Sequence, residues 1–411
     1  MVLAQSVGGS LGGAGVPYRE LLLIAVVAGL VTFVITGFVK GFAPMVGGVK
    51  YPRGRDVHVI PTPQIGGLGI FTGFCVAVFL ASNLPALTRS FPPFTSDVQT
   101  VMVAGGVIVL LGFVDDTLEL GAVTKLVGQM AAAGVLCVGG VTWFLVYIPW
   151  SGNILVLDQL QAGVATALFV LIVVNAVNFV DGLDGLAAGI GTIVAMALCL
   201  FAMAILYQQG GTVSAYPPAL ITAVLAGACL GFLPHNFHPA RIFMGDTGAM
   251  FIGLMLAAAS INVSGRISQS MYGSQNLLVL LSPVIVVGAA LFVPLLDLVL
   301  AVVRRVRAGK HPFSADRKHL HHRLLELGHS QTLVALVIYA WVALFAFGAV
   351  SLTVFPARWT VPAVLICLVL VIVFTATPLW MGASGRRLGR FGRRRVGSGA
   401  GRSSESATHK G

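Results

Sequence analysis

Charged residues are scarce in this chain. They make up 9% of its 411 residues, whereas 57% are hydrophobic and the mean hydropathy is +0.94. That shortage excludes a soluble globular domain, in which about a quarter of the residues carry charge. Cysteine is scarce as well. The five present (Cys75, Cys137, Cys199, Cys229 and Cys367) lie singly inside apolar runs. This excludes a disulfide framework and a cysteine-held metal cluster, and leaves small apolar packing residues. The glycine-rich stretch Met1–Pro17 has no basic start, so it does not read as a cleaved signal peptide. Zinc is not expected either, because neither cysteine nor a carboxylate pair joins the one histidine-rich stretch near residue 320.

Long apolar runs are what the chain has in abundance, at about the 17–25 residues that cross a hydrocarbon layer. Spans are expected at Glu20–Val39, Gly66–Ser82, Val98–Val114, Val123–Ile148, Gly163–Asn178, Leu183–Tyr207, Pro217–Leu233, Thr247–Val263, Asn276–Val303, Gln331–Phe355 and Trp359–Met381. The predicted fold is an all-α polytopic integral membrane protein of about eleven transmembrane helices. Residues 1–19 precede the membrane domain at 20–381, and residues 382–411, rich in Gly, Ser and Arg, are expected to form a disordered basic tail. The span Asn276–Val303 contains Pro283 and Pro294 and is expected to bend, leaving a lipid-facing groove beside it. Asp297 near its inner end is expected to pair with an arginine.

The net charge of +11 does not point to nucleic acid, because its distribution follows the spans. Arg19, Arg89, Arg266 and Arg358 fall on one side, and the rest of the 25 Lys and Arg residues fall on the other. The positive-inside rule puts that second side in the cytoplasm, with the N-terminus outside and the C-terminus inside. The acids sort the same way. Asp115, Asp116, Glu119, Asp181, Asp184, Asp246, Asp316 and Glu326 are all on the inner side.

Five polar elements lie on that side. Arg55-Asp56-Val57-His58 leads to Pro61-Thr62-Pro63-Gln64-Ile65-Gly66-Gly67, whose glycine N–H groups at a helix start can receive an anion. Asp115-Asp116 closes the third span, and adjacent carboxylates call for a cation, as in the holders of phosphate-bound Mg²⁺. The turn Asn175–Ala187, NAVNFVDGLDGLA, puts Asn175 and Asn178 on one helix face and sets Asp181 and Asp184 among glycines. In the segment from His235 to Gly248, Asn236, Arg241 and Phe243 offer an amide, a phosphate partner and a platform for a base, while Asp246 is either a ligand or a helix N-cap. The last element, Pro312–Leu325, carries His319, His321, His322 and Arg323, cations suited to a phosphorylated substrate, on a stretch with the pattern of a short surface helix.

At these residues the chain resembles the polyprenyl-phosphate N-acetylhexosamine-1-phosphate transferases, from about Lys50 to Ser330 and through all five elements in order. The pattern His319-Leu320-His321-His322-Arg323 resembles the branch that uses UDP-N-acetylglucosamine; the branch that transfers phospho-N-acetylmuramoyl-pentapeptide has three consecutive histidines followed by Phe-Glu. Arg55, His58 and the Pro-Thr-Pro spacing are also similar to the first branch. Ala249 departs from the usual Ser.

The resemblance implies Mg²⁺ dependence (Mn²⁺ in its place is the alternative), a site at the cytoplasmic surface of a bacterial cell membrane, and transfer of a sugar-1-phosphate from a UDP-N-acetylhexosamine to a polyprenyl phosphate with release of UMP. On that reading Asp115, Asp116, Asp181 and Asp246 are catalytic, with the metal on Asp246 and either Asp181 or Asp116 assisting. Asp115 is then the base. His58, Asn175, Asn178, Asp184, Asn236, Arg241, Phe243, His319, His321, His322 and Arg323 bind substrate. A direct displacement and a covalent aspartyl-phosphate route both remain open. The rival classes are a lipid or solute transporter, which would place its polar groups near the midplane, and a scaffold, which would need no Asn–Asp series. Prenyl length, the polymer made downstream, and whether the chain forms a homodimer are not legible.

Overall fold

Backbone polar groups in hydrocarbon must satisfy one another, so the long apolar runs fold as helices. The computed structural model describes residues 15–50, 61–148, 153–208, 215–264, 281, 283–289, 306–307 and 330–392. Among these the helices are α1 (Tyr18–Phe42), α2 (Gly67–Ser82), α3 (Asp97–Leu118), α4 (Ala122–Val138), α5 (Gln159–Val180), α6 (Leu186–Gln208), α7 (Tyr216–Asn236), α8 (Gly245–Ser264), α9 (Gln331–Val354) and α10 (Ala357–Gly392). Eight of them are long and apolar enough to cross a membrane, and α2 and α4 are shorter apolar helices. The chain is a polytopic helical membrane protein.

Local chemistry sets several boundaries. Asp158 and Gln161 form a reciprocal capping box at the start of α5, and Ser330 accepts from the Leu333 N–H at the start of α9. The expected span Val123–Ile148 is too long. Helix α4 stops at Val138, before Gly139-Gly140, and Leu145–Ile148 instead forms strand β3, which pairs antiparallel with β4, Asn153–Val156. A run rich in Leu, Val, Tyr and Ile suits a hairpin as well as a helix, and the two glycines decide. Two shorter strands, Val49–Lys50 (β1) and Thr62–Pro63 (β2), also pair. At the other end of the chain, α10 runs on to Gly392, into the stretch expected to be a disordered tail. Of the ninth expected span only residues 281 and 283–289 are described, and these are helical. Its bend, its groove and Asp297 lie outside the described residues.

Helix α8 is the centre of the bundle. Its residues from Thr247 to Ser264 are buried, many of them small, and it is packed by α2, α3, α5, α6 and α7. Helix α1 lies along α7 on one flank and α9 along α6 on another. Side chains such as Leu365, Ile366, Val369 and Leu370 on α10 stay exposed, as a lipid-facing surface allows.

The α1–α7 contact has no room for side chains. A Cβ on Gly227 would run into the Ala25 carbonyl, and one on Gly231 into the Gly29 carbonyl. Close backbone approach of this kind is how small residues hold membrane helices together. Gly227→Ala is expected to force α1 from α7 and cost about 1–3 kcal/mol, seen as a lower thermal midpoint in detergent. Gly37→Ala, where a Cβ meets nothing within 4 Å, should leave the midpoint unchanged.

Candidate active site

Three connections meet at one end of the bundle: the α3–α4 turn, the α5–α6 turn and the α7–α8 loop. All carry the polar residues read from the sequence. The N-terminus of α8 enters this meeting point with unbonded N–H groups and the positive end of its dipole. Asp116 answers both. Its Oδ1 accepts from the Asp246 N–H at 2.9 Å, and its Oδ2 accepts from the Thr247 N–H at 3.0 Å and the Thr247 hydroxyl at 2.6 Å. The N-cap role, the alternative to metal binding for Asp246, is performed by a carboxylate from another helix. Gly245 makes the turn possible: its φ is +67°, and a Cβ there would strike the Gln64 carbonyl and Asp116.

The segment before α2 is bound into the same corner. Gly66 N–H donates to the Phe243 carbonyl, Gly67 N–H to the Met244 carbonyl, and Phe243 N–H to the Pro63 carbonyl, each within 2.9 Å. Gln64 Nε2 donates to the Asp116 carbonyl at 2.5 Å. The two glycine N–H groups expected to receive an anion therefore align α2 with the α7–α8 loop instead. Phe243, the expected base platform, is half-buried in this corner.

Asp115 turns away from Asp116, as neighbours on a helix do, about 100° apart. Its carboxylate reaches Lys125 of α4 at 2.5 Å and accepts from the Leu120 N–H at 2.8 Å. The same Lys125 ammonium lies 2.8 Å from Asp246 Oδ2, and Asn178 Nδ2 donates to Asp246 Oδ1 at 2.9 Å. Four helices thus contribute one side chain each to a single cluster: Asp115, Lys125, Asn178 and Asp246. The Asp115 side chain is only 5% exposed, but Lys125 and Asp246 are 33% and 26% exposed, so the cluster opens to one side.

The other expected residues divide around it. Asn175 exchanges two amide hydrogen bonds with Gln129, at 2.8 and 3.3 Å, and also donates to the Leu171 carbonyl. It ties α5 to α4 rather than facing the cluster. Asn236, 1% exposed, accepts from the Gly185 N–H and donates to the Ile242 carbonyl. Buried Asp184 accepts from the Ala240 N–H and pairs with His238 Nδ1 at 2.8 Å. These side chains, expected to touch substrate, brace loops against one another. Asp181 closes α5 just beyond Asn178, and exposed Arg241 donates its N–H to the His235 carbonyl. His58, His319, His321, His322 and Arg323 lie outside the described residues.

The expected divalent cation fits part of this arrangement. Mg²⁺ prefers hard oxygen donors and takes one or two protein carboxylates plus substrate phosphates and water. Asp246 and Asp115, already drawn together by one cation, Lys125, offer that donor set. Asp116 does not, since three donors occupy its oxygens. No group of three ligating side chains occurs among the described residues, so an ion here would depend on substrate for the rest of its shell. Lys125 and Gln129 were missed as site residues. The signal was present: a lysine and a glutamine four apart on one face of an apolar helix.

This division is testable. Asp116→Ala should strip α8 of its cap and cost about 0.5–2 kcal/mol, lowering the thermal midpoint without ligand. Asp246→Asn, whose carboxylate lies on the open side, should melt as wild type. Equal losses in the two variants would contradict it.

Comparison with known proteins agrees with the geometry. Residues 98–264, from α3 to the end of α8, match the family described as Glycosyl transferase family 4. Over 368 residues the chain is 54% identical to a decaprenyl-phosphate N-acetylglucosaminephosphotransferase of Mycobacterium tuberculosis (strain CDC 1551 / Oshkosh), covering 89% of this chain and 91% of that protein. It is 34% identical over 333 residues to a probable undecaprenyl-phosphate N-acetylglucosaminyl 1-phosphate transferase of Bacillus subtilis (strain 168), covering 80% and 85%. A phospho-N-acetylmuramoyl-pentapeptide-transferase of Desulforudis audaxviator (strain MP104C) is 32% identical over 306 residues, covering 69% and 82%. With a carboxylate–lysine–amide cluster where its polar motifs converge and relatives of this kind along most of its length, the chain belongs to the polyprenyl-phosphate N-acetylhexosamine-1-phosphate transferases and is a glycosyl-1-phosphate transferase.

Proposed function

We propose that this enzyme transfers N-acetylglucosamine-1-phosphate from UDP-N-acetylglucosamine to a polyprenyl phosphate, decaprenyl phosphate in the first instance, at the cytoplasmic face of a bacterial plasma membrane. The product is the polyprenyl diphosphate sugar that initiates an envelope polysaccharide. The observation that carries this reading is the half-open cluster of Asp115, Lys125, Asn178 and Asp246. The sugar and the prenyl chain are taken from the names of the relatives, of which those at 52–54% identity are decaprenyl-phosphate enzymes.

In the reaction an oxygen of the lipid phosphate bonds to the sugar-bearing phosphorus of the donor. The bond from that phosphorus to the bridging oxygen breaks, and UMP leaves with the bridging oxygen. Both reactants are anions, so the site must supply positive charge and alignment. Lys125 provides an ammonium at the open side, and Asn178 fixes Asp246 so that its remaining lone pairs face the same space. Asp246 and Asp115 would hold Mg²⁺, which would supply positive charge to the donor's diphosphate and to the phosphate of the departing UMP. Asp115 has its second oxygen fixed by the Leu120 N–H, which orients the carboxylate beside Lys125. The charge pattern of the sequence supports the cytoplasmic assignment, because the Lys- and Arg-rich connections fall on the same side of the expected spans as Asp115, Asp181 and Asp246.

Purified protein given labelled UDP-N-acetylglucosamine, Mg²⁺ and decaprenyl phosphate should yield labelled lipid and UMP. UDP-N-acetylmuramoyl-pentapeptide should compete poorly. Asp246→Asn should reduce UMP release by roughly a hundredfold or more while the protein still folds; undiminished turnover would sink the metal assignment. In a cysteine-free background, Leu118→Cys at the exposed end of α3 should react with an impermeant maleimide only from the cytoplasmic side.

A further inference from the structure

We propose that Tyr339, on α9, is a positioning residue for the nucleotide-sugar half of the site, acting through the turn that joins α5 to α6. The inference rests on the proposed reaction, because it names which substrate that turn serves. Helix α9 lies beyond residues 98–264, and Tyr339 belongs to none of the five polar elements of the sequence.

The turn begins at Asp181, directly after the helix that carries Asn178 to Asp246, and ends at Gly185. Its two glycines face different surroundings. Among the described residues a Cβ on Gly182 would meet nothing within 4 Å, and the residue is exposed. Gly185 is enclosed. Its φ is +74°, its N–H donates to Asn236 Oδ1 at 3.1 Å, and its carbonyl accepts the Gly189 N–H at 2.9 Å as the first bond of α6. The same carbonyl also accepts the Tyr339 hydroxyl at 2.5 Å. A carbonyl oxygen has two lone pairs, and here both are used.

Packing shows that the ring is seated rather than passing by. One turn into α6, a Cβ on Gly189 would overlap the Tyr339 ring, so the absence of a side chain there makes the slot. A phenylalanine would fill that slot equally well. The hydroxyl therefore adds nothing to the packing that the ring does not, and its distinct contribution is to hold the Gly185 peptide. Asp184, the preceding residue, is in turn bound to His238 and the Ala240 N–H. The turn is thus fixed at its far end by α7, by the α7–α8 loop and by α9, and is left open at Gly182. Helix α9 follows the stretch that carries His319 to Arg323 in sequence, so Tyr339 is the point where the chain beyond that stretch grips the site.

Tyr339→Phe keeps the ring and removes the grip. One neutral hydrogen bond corresponds to about a two- to tenfold change in an equilibrium constant. The variant is expected to raise KM for UDP-N-acetylglucosamine and to weaken UMP binding, measured by equilibrium dialysis, by that factor. Its kcat and its KM for decaprenyl phosphate should stay at wild-type values, and its thermal midpoint should fall by no more than the loss of one hydrogen bond accounts for. Trp341→Phe serves as the control on the same helix, since it loses the bond from Trp341 Nε1 to Thr375 on α10 and should change neither KM value nor the affinity for UMP. Unchanged UMP affinity in Tyr339→Phe, or an equal rise in both KM values, overturns the inference even when wild-type turnover upholds the reaction. Loss of UMP affinity in Tyr339→Phe with no turnover by the wild type would uphold the inference about the turn and overturn the reaction instead.

Discussion

Everything at the working end of this bundle depends on Asp116 holding the N-terminus of α8. A helix start cannot sit among other helices with its N–H groups unanswered. Asp116 answers the Asp246 and Thr247 N–H groups and the Thr247 hydroxyl from a different helix, so α3 and α8 share one fixed corner. Once that corner is fixed, Asp246 must emerge beside it, and the residue before Asp116 must face the other way. Asp115 and Asp246 are thereby both brought to Lys125. Of the adjacent acids of the sequence, one caps α8 and the other joins the Lys125 cluster.

The same division runs through the rest of the polar set. Asn175 with Gln129 fixes the spacing of α4 and α5, which sets how Lys125 and Asn178 approach Asp246. Asn236 and Asp184 tie the α7–α8 loop to the α5–α6 turn. Amides and carboxylates buried against apolar helices must be paired, and this pairing makes them good rulers. A membrane enzyme of this construction uses as many polar groups to position its site as to form it.

The helices and the membrane class were legible because length and hydropathy are one-dimensional properties. Asp115, Asn178 and Asp246 were legible because a polar group at the end of an apolar helix stands out in composition. What was not legible was the direction of each side chain. Nothing in the order Asp115-Asp116 says which acid turns to α8, and nothing in Gly66-Gly67 says that the Phe243 and Met244 carbonyls, some 180 residues on, will take their N–H groups. Lys125 was read as a topology marker because its partners are on other helices. The strand Leu145–Ile148 was read as the end of a helix because the same Leu, Val and Ile residues suit both, and only Gly139-Gly140 separates them.

Lys125 has one more consequence. A pair of acids held close together in a low-dielectric setting repel each other, and a fold built around them would ordinarily have to wait for an ion from solution before it could close. Here the chain carries its own counter-ion, tethered to α4 and reaching both acids. The acidic centre is therefore held beside a cation that the fold itself supplies.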